Sequence, residues 1–205
     1  MSRTEEICRR LYTSIKKPQT ELNYGSDYMF LVAVVLSAQT TDVQVNKVTS
    51  ELFKKYKTVD DILNLGLEQL TQKIRSIGLY KNKAKHIIEL SKILKLKFNS
   101  RVPNSRETLE ALPGVGRKTA NVVMNTLFNM PTIAVDTHVF RIARRLGLSS
   151  GNTPLKVEMD LEKNIPTFYK KNISNLLVLH GRYICKAKKP DCSQCVLTDL
   201  CEFVP

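Results

Sequence analysis

Four cysteines near the C-terminus constrain this chain of 205 residues more than any other feature. They follow the spacing Cys-x6-Cys-x2-Cys-x5-Cys, at Cys185, Cys192, Cys195 and Cys201. The N-terminus, MSRTEEICRR, mixes acidic and basic residues and lacks the apolar segment of a signal peptide, so we expect a cytoplasmic protein without disulfides. Four thiols this close together therefore predict a metal centre.

The spacing favours one kind of metal centre without settling it. Zinc binds four thiolates readily, often through two Cys-x2-Cys pairs, but only one such pair is present. A [4Fe–4S] cluster also takes four thiolates and is larger, so it tolerates loops of unequal length. We therefore predict a [4Fe–4S] cluster and keep zinc as the alternative. The fifth cysteine, Cys8, has no assigned role and is expected to be a partly buried thiol.

The charge of the chain indicates a polyanionic partner. Thirty-two Lys and Arg residues against 19 Asp and Glu residues give a formal net charge of +13. Nucleic acid is the first candidate and an anionic membrane surface the second, while a generally basic proteome would need no partner. The longest apolar run, residues 29–36, is too short to cross a bilayer, so we expect no membrane insertion.

Apolar residues recur at helical spacing along most of the chain. The clearest sets are Val45, Val48 and Leu52; Ile74 and Ile77; Ile87, Leu90 and Leu94; and Val139, Ile142 and Leu146. Thr153 followed by Pro154 is typical of a helix start. Residues 29–36 fit a buried helix or a buried strand, and no convincing strand alternation appears elsewhere. The sequence therefore predicts an all-α protein.

The segment LPGVGRKTANVV, residues 112–123, combines a turn with positive charge. Pro113 ends one helix, and Gly114 and Gly116 permit a positive φ or a close approach of the backbone to a ligand. Free amides at the start of the next helix form a phosphate site, to which Arg117 adds charge. We interpret the segment as a site for the DNA backbone; a tight connection without a ligand is the alternative. The segment SIGLYKNKAKHI is a weak echo of it.

Two residues after that turn suggest covalent chemistry. Lys118 lies in the first turn of a helix, where the macrodipole disfavours a positive charge and so favours the uncharged amine that a nucleophile requires. Asp136 follows an apolar run and precedes another helix. Taken alone, Asp136 is better explained as a helix N-cap. A reactive lysine together with a carboxylate would, however, suit chemistry on a sugar.

The loop between the first two clustered cysteines is also basic. Its sequence, KAKKPD, places Lys186, Lys188 and Lys189 on a segment that the metal holds at both ends. It is predicted to be a rigid basic finger against a phosphate backbone, with a merely solvated loop as the alternative.

Together these segments resemble the endonuclease III family of DNA glycosylases, in the helix-hairpin-helix superfamily. The resemblance covers essentially the whole chain. It is carried by LSAQTTD, LPGVGRKTANVV, VDTHVFR, LHGRYIC and the cysteine spacing.

The resemblance implies a base-excision-repair DNA glycosylase with AP lyase activity, acting on double-stranded DNA that contains damaged pyrimidines or abasic sites. The lysine matching Lys118 attacks the sugar C1′ and forms a Schiff base, and β-elimination then breaks the strand 3′ to the abasic site. The aspartate matching Asp136 assists, and the residue matching Gln39 enters the gap left by the flipped base. The cysteines hold a [4Fe–4S] cluster that is not the catalyst.

The expected architecture is two helical lobes with a DNA-binding cleft, in a monomer. Residues 21–130 form a glycosylase domain with a helix-hairpin-helix at about 106–125, and residues 1–20 with 131–205 form a cluster domain ending in the loop of residues 185–201. Lys118 and Asp136 are expected to face each other across the cleft. A non-catalytic, structure-selective DNA-binding protein and a mismatch-type glycosylase of the same superfamily are the alternatives.

Overall fold

The computed structural model describes residues 1–203, which form ten α-helices and no β-strand. The prediction of an all-α protein is confirmed. The helices are α1 (Arg3–Ser14), α2 (Asp27–Ser37), α3 (Asp42–Lys55), α4 (Val59–Lys73), α5 (Tyr80–Phe98), α6 (Arg106–Glu110), α7 (Arg117–Phe128), α8 (Thr137–Arg145), α9 (Pro154–Asn164) and α10 (Thr167–Tyr183). Two 3₁₀ turns, Cys192–Gln194 and Thr198–Leu200, follow. Among these residues, no helix is long and apolar enough to cross a membrane.

Side-chain caps explain where most of the helices begin. At the start of six helices, a hydroxyl side chain accepts a hydrogen bond from a backbone amide in the first turn; the residues are Ser2, Ser26, Thr41, Thr58, Ser105 and Thr153. Pro154 occupies the first turn of α9, as predicted. The helix expected around Ile74 and Ile77 is wrong, because α4 ends at Lys73 and both isoleucines are buried in the connection to α5.

The chain divides into two compact units. Glu21–Phe128 forms one, which we call the hairpin unit, and Met1–Thr20 with the chain from Asn129 onwards forms the other, the terminal unit. In the hairpin unit, α2 packs against α3, α5 and α7 and is its central helix. Residues 28–36 are all buried, which explains why their pattern shows no helical period.

The terminal unit brings both ends of the chain into one core. Helix α10 packs against α8 and α1, and α8 packs against α9. The core includes Ile7, Leu11, Ile142, Leu176 and Leu197. Cys8 is fully buried in it rather than partly buried, and burial raises the pKa of its thiol to about 12. Arg10 joins α1 to the cysteine-rich segment through Asp199, at 2.6 Å.

Candidate functional site

The two glycines of the turn between α6 and α7 differ in what the fold requires of them. Gly114 has φ 80°, and a Cβ at this position would lie 3.0 Å from both Cβ and Nδ1 of His86. Gly116 has no positive φ, and a Cβ there would meet nothing within 4 Å. Val115, between them, is buried and donates its amide to Leu112 O at 3.0 Å. Gly114 is therefore needed for the turn itself, whereas Gly116 leaves open space beside the backbone.

The start of α7 presents both of its cations to solvent. Gly116, Arg117 and Lys118 are exposed, while Ala120 and Asn121 on the same helix are fully buried. Arg106 Nε donates to Asn121 Oδ1 at 3.1 Å and thereby links the two helices of the hairpin. The amine of Lys118 is thus carried on a firmly anchored helix start, next to a glycine with an accessible backbone.

Gln39 lies in a tight exposed turn directly after α2. Its φ is 55°, and Thr40 N donates to Ser37 O at 3.1 Å to close the turn. A lysine that the sequence analysis did not single out supports this turn: Lys83 Nζ donates to Leu36 O at 2.8 Å, to Ala38 O at 2.5 Å and to Thr40 Oγ1 at 3.1 Å.

Lys83 stands in a recognisable segment of the sequence, although nothing in that segment shows that its amine is buried. It belongs to the segment SIGLYKNKAKHI, where a glycine turn and basic residues precede a helix as they do before α7.

Leu79, in the same turn, was missed as well. It has φ 58° and is 58 % exposed, which is unusual for a leucine, and nothing in its spacing distinguishes it from a core residue.

Asp136 is the N-cap of α8. Its Oδ1 accepts from the amides of His138 at 2.9 Å and Val139 at 2.8 Å. Its Oδ2 lies 3.2 Å from His138 Nδ1. The carboxylate therefore caps the helix with one oxygen, while the other oxygen remains beside the imidazole. Asp136 belongs to the terminal unit and Lys118 to the hairpin unit.

Arg145, the last residue of α8, holds both ends of the cysteine loop. Its Nη1 donates to Cys185 Sγ at 3.3 Å and to Lys186 O at 2.9 Å. Its carbonyl accepts from Glu202 N at 3.2 Å and lies 3.5 Å from Cys201 Sγ. The guanidinium and the backbone carbonyl of Arg145 therefore order the first and the last of the four cysteines.

The two middle cysteines are ordered by a hydroxyl. Thr198 Oγ1 lies 2.8 Å from Cys192 O and 2.9 Å from Cys195 O, so both carbonyls are within reach of its one hydroxyl proton. Cys195 Sγ lies 3.7 Å from Nε2 of the buried His180, and burial lowers the pKa of that imidazole to about 4. Each of the four cysteines is thus tied to the fold by a hydrogen bond of its own sulfur or backbone.

The donor set of this segment, four cysteine thiols, fits a [4Fe–4S] cluster. Zinc would need all four thiolates on one atom, whereas the thiolates of a [4Fe–4S] cluster bind different irons. Cys185, Cys195 and Cys201 also pack against the core of the terminal unit, as a cluster sheltered from water requires.

The basic finger is closed at its base by backbone hydrogen bonds. Asp191 N and Lys186 N both donate to Ile184 O, each at 2.9 Å. Lys186, Lys188 and Lys189 are all exposed on the loop so formed. The predicted lysines are thus presented to solvent by a segment whose two ends are fixed.

Comparisons with known proteins agree with these features. Residues 32–167 match the family of HhH-GPD superfamily base excision DNA repair proteins, and residues 185–201 match the iron–sulfur binding domain of endonuclease III. The chain is therefore a base-excision DNA repair protein of the helix-hairpin-helix class.

Individual relatives narrow the assignment. Endonuclease III of Rickettsia conorii is 54 % identical over 91 % of this chain and 89 % of its own length. Endonuclease III of Escherichia coli K12 is 49 % identical over 97 % and 94 %. A solved structure of a trapped covalent intermediate between endonuclease III and DNA is 44 % identical, with a TM-score of 0.91, covering 98 % of this chain and 96 % of that one.

This chain belongs to the endonuclease III family. It is a DNA glycosylase with AP lyase activity that binds DNA, and its cofactor is a [4Fe–4S] cluster. These predictions from the sequence are confirmed, and zinc and a purely non-catalytic role are not supported.

Proposed function

We propose that the protein excises damaged pyrimidines from double-stranded DNA and that Lys118 is its nucleophile. The observation that carries the proposal is the exposed amine in the first turn of α7, directly after a glycine with open space beside its backbone. A relative has been trapped as a covalent intermediate with DNA, which requires a nucleophile on the protein.

In the proposed reaction, the Lys118 amine forms a bond to the sugar C1′ as the base leaves with the electrons of the glycosidic bond. Opening of the sugar ring converts the adduct into a Schiff base. Loss of a proton from C2′ then expels the 3′ phosphate, which breaks the strand by β-elimination. Water finally hydrolyses the Schiff base and restores the amine of Lys118.

Asp136 supports this reaction by taking a proton from the amine or by stabilising positive charge on the sugar. Helix capping uses Oδ1, so we propose that Oδ2, which lies 3.2 Å from His138 Nδ1, is the oxygen that takes part in the reaction. Gln39 is proposed to fill the gap left by the flipped base, which its exposed position in a tight turn favours.

The remaining contacts are proposed to hold the DNA backbone. Gly114, Gly116 and Arg117 form the hairpin contact, and the lysines of the finger add a second one; these are Lys186, Lys188 and Lys189. We propose that the hairpin unit is the glycosylase domain and the terminal unit the cluster domain. A monomeric state and a cytoplasmic location are part of the same proposal.

Borohydride reduction in the presence of DNA with an abasic site tests the central step. We expect a covalent adduct with the native protein and none with Lys118→Gln, which keeps a polar side chain but removes the amine. Lys92→Gln is the matched control, because it makes the same change at an exposed lysine of α5. An undiminished adduct with Lys118→Gln would show that another amine is the nucleophile.

A further inference from the structure

The hairpin unit contains a lysine that is buried without a carboxylate among its acceptors. Lys83, on α5, is 4 % exposed, and its three acceptors are two carbonyls and a hydroxyl. Burial lowers the pKa of its amine, because an ammonium loses its hydration inside the protein. Keeping a lysine here costs free energy, which the three charge-assisted hydrogen bonds must offset.

Those hydrogen bonds all serve the end of one helix. The last carbonyls of an α-helix have no partner within the helix, and a cation is favourable there. Lys83 Nζ satisfies the carbonyls of Leu36 and Ala38 and also contacts Thr40 Oγ1. The residues before and after Gln39 are therefore both tied to the same amine, while Gln39 itself stays exposed.

The connection between α4 and α5 supports the same turn from another side. A Cβ at Gly78 would lie 3.5 Å from Gln39 O and 3.7 Å from Thr40 Oγ1. Gln44 Nε2, on α3, donates to Ser76 Oγ at 2.9 Å. The turn that carries Gln39 is thus held against the start of α5, and Lys83 is the only one of these residues with a charge.

We propose that Lys83 is a positioning residue that fixes the backbone around Gln39 in the conformation needed to enter the base gap. It does not touch DNA. The inference rests on the proposed function of Gln39. Without Lys83 Nζ, the carbonyls of Leu36 and Ala38 lose the hydrogen bonds that it donates, and Gln39 with its positive φ must be ordered at the moment of base flipping.

A double-mutant cycle with Gln39→Ala separates positioning from general stability. In duplex DNA with a damaged pyrimidine, we expect Lys83→Met to lower the single-turnover rate of base removal by about tenfold or more, as small misplacements near a site do. On the Gln39→Ala background, the same change should alter the rate by no more than about twofold, because the two residues act as one. Borohydride trapping on a single-stranded abasic site, which has no base gap to fill, should remain within about twofold of the native protein.

The outcomes distinguish the two levels of the proposal. One pair of outcomes would show that Lys83 is only structural. In the first, Gln39→Ala slows base removal and Lys83→Met slows it further by its full factor. In the second, Lys83→Met lowers single-strand trapping as much as it lowers base removal. Either result makes the positioning role wrong and leaves the role of Gln39 standing. If Gln39→Ala retains full duplex activity, the role of Gln39 is wrong and the positioning role fails with it. Should Lys83→Met unfold, Thr40→Val removes one of the three contacts and is measured in the same cycle. Lys92→Met, on the exposed side of α5, should behave as the native protein.

Discussion

Replacing each glycine of the hairpin turn by alanine should separate folding from DNA contact. At Gly114 the backbone has φ 80°, where an L-residue is disfavoured by about 1–2 kcal/mol. The added methyl would also lie 3.0 Å from Cβ and Nδ1 of His86. Because that Cβ is fixed to the backbone of α5, the histidine cannot simply rotate away.

These effects have a partly opposing term in the unfolded chain. Alanine restricts the unfolded state and alone stabilises a protein by about 0.4–1 kcal/mol. With the steric contact included, we expect Gly114→Ala to lower the free energy of unfolding by about 1–2 kcal/mol. In a protein of this size, the melting temperature should fall by about 2–4 °C for each kcal/mol.

Gly116→Ala is the matched variant in the same turn. No positive φ and no neighbour within 4 Å oppose a methyl there, so stability should be unchanged or slightly higher. If the amide at this position lies against a DNA phosphate, the methyl should instead weaken binding to an abasic-site duplex by about tenfold, a loss of about 1.4 kcal/mol.

Urea unfolding and fluorescence anisotropy with labelled duplex measure the two quantities. The free energy of unfolding should fall only in Gly114→Ala. Gly116→Ala should lose DNA affinity without losing stability. Native stability in Gly114→Ala would refute the steric reasoning. Native affinity in Gly116→Ala would remove its backbone from the proposed phosphate contact.

Two further variants and one property of the native protein have defined outcomes. Replacing Lys188 and Lys189 by alanine should lower the slope of log affinity against log salt by up to about 2, and an unchanged slope would exclude the finger from the DNA interface. Hydrogen bonds, mainly from Arg9 and also from Arg10, lower the pKa of Glu6 from 4.5 to about 2. The ionised Glu6 carboxylate therefore stabilises the fold above pH 4.5, and this stabilisation is lost as the pH falls towards 2. Glu6→Gln should therefore lower the urea midpoint at pH 7 more than at pH 3, and equal shifts would contradict the pairing. The purified native protein should be brown and contain iron, and a colourless protein loaded with zinc would contradict the cluster.

The sequence predicted most of the helices because their surfaces are amphipathic and their starts have hydroxyl caps. It could not assign residues 29–36, since a helix buried on every side has no polar face to reveal its period. It also placed Ile74 and Ile77 in a helix. Their apolar side chains are buried, but in a connection, and burial alone does not distinguish the two.

The site was predicted unevenly for a similar reason. The cysteine spacing and the glycine turn are local patterns, so their chemistry can be recognised along the chain. Lys83 acts on residues 43 to 47 positions away, and no local pattern shows that its amine will be buried. The two glycines of the hairpin look equivalent in sequence, and only the fold distinguishes them, through the positive φ of Gly114 and the position of His86 beside it.

Asp136 has two possible roles, as the N-cap of α8 and as a catalytic carboxylate, and two substitutions separate them. An asparagine retains an oxygen for the amides of His138 and Val139 and caps about as well as aspartate. Asp136→Ala loses the cap and should cost about 1 kcal/mol of stability. If the carboxylate also serves the reaction, Asp136→Asn should keep its stability and its DNA binding yet lose about 100-fold or more in base removal. Single-turnover kinetics beside urea unfolding decide between them, and native activity in Asp136→Asn would leave the residue with capping alone.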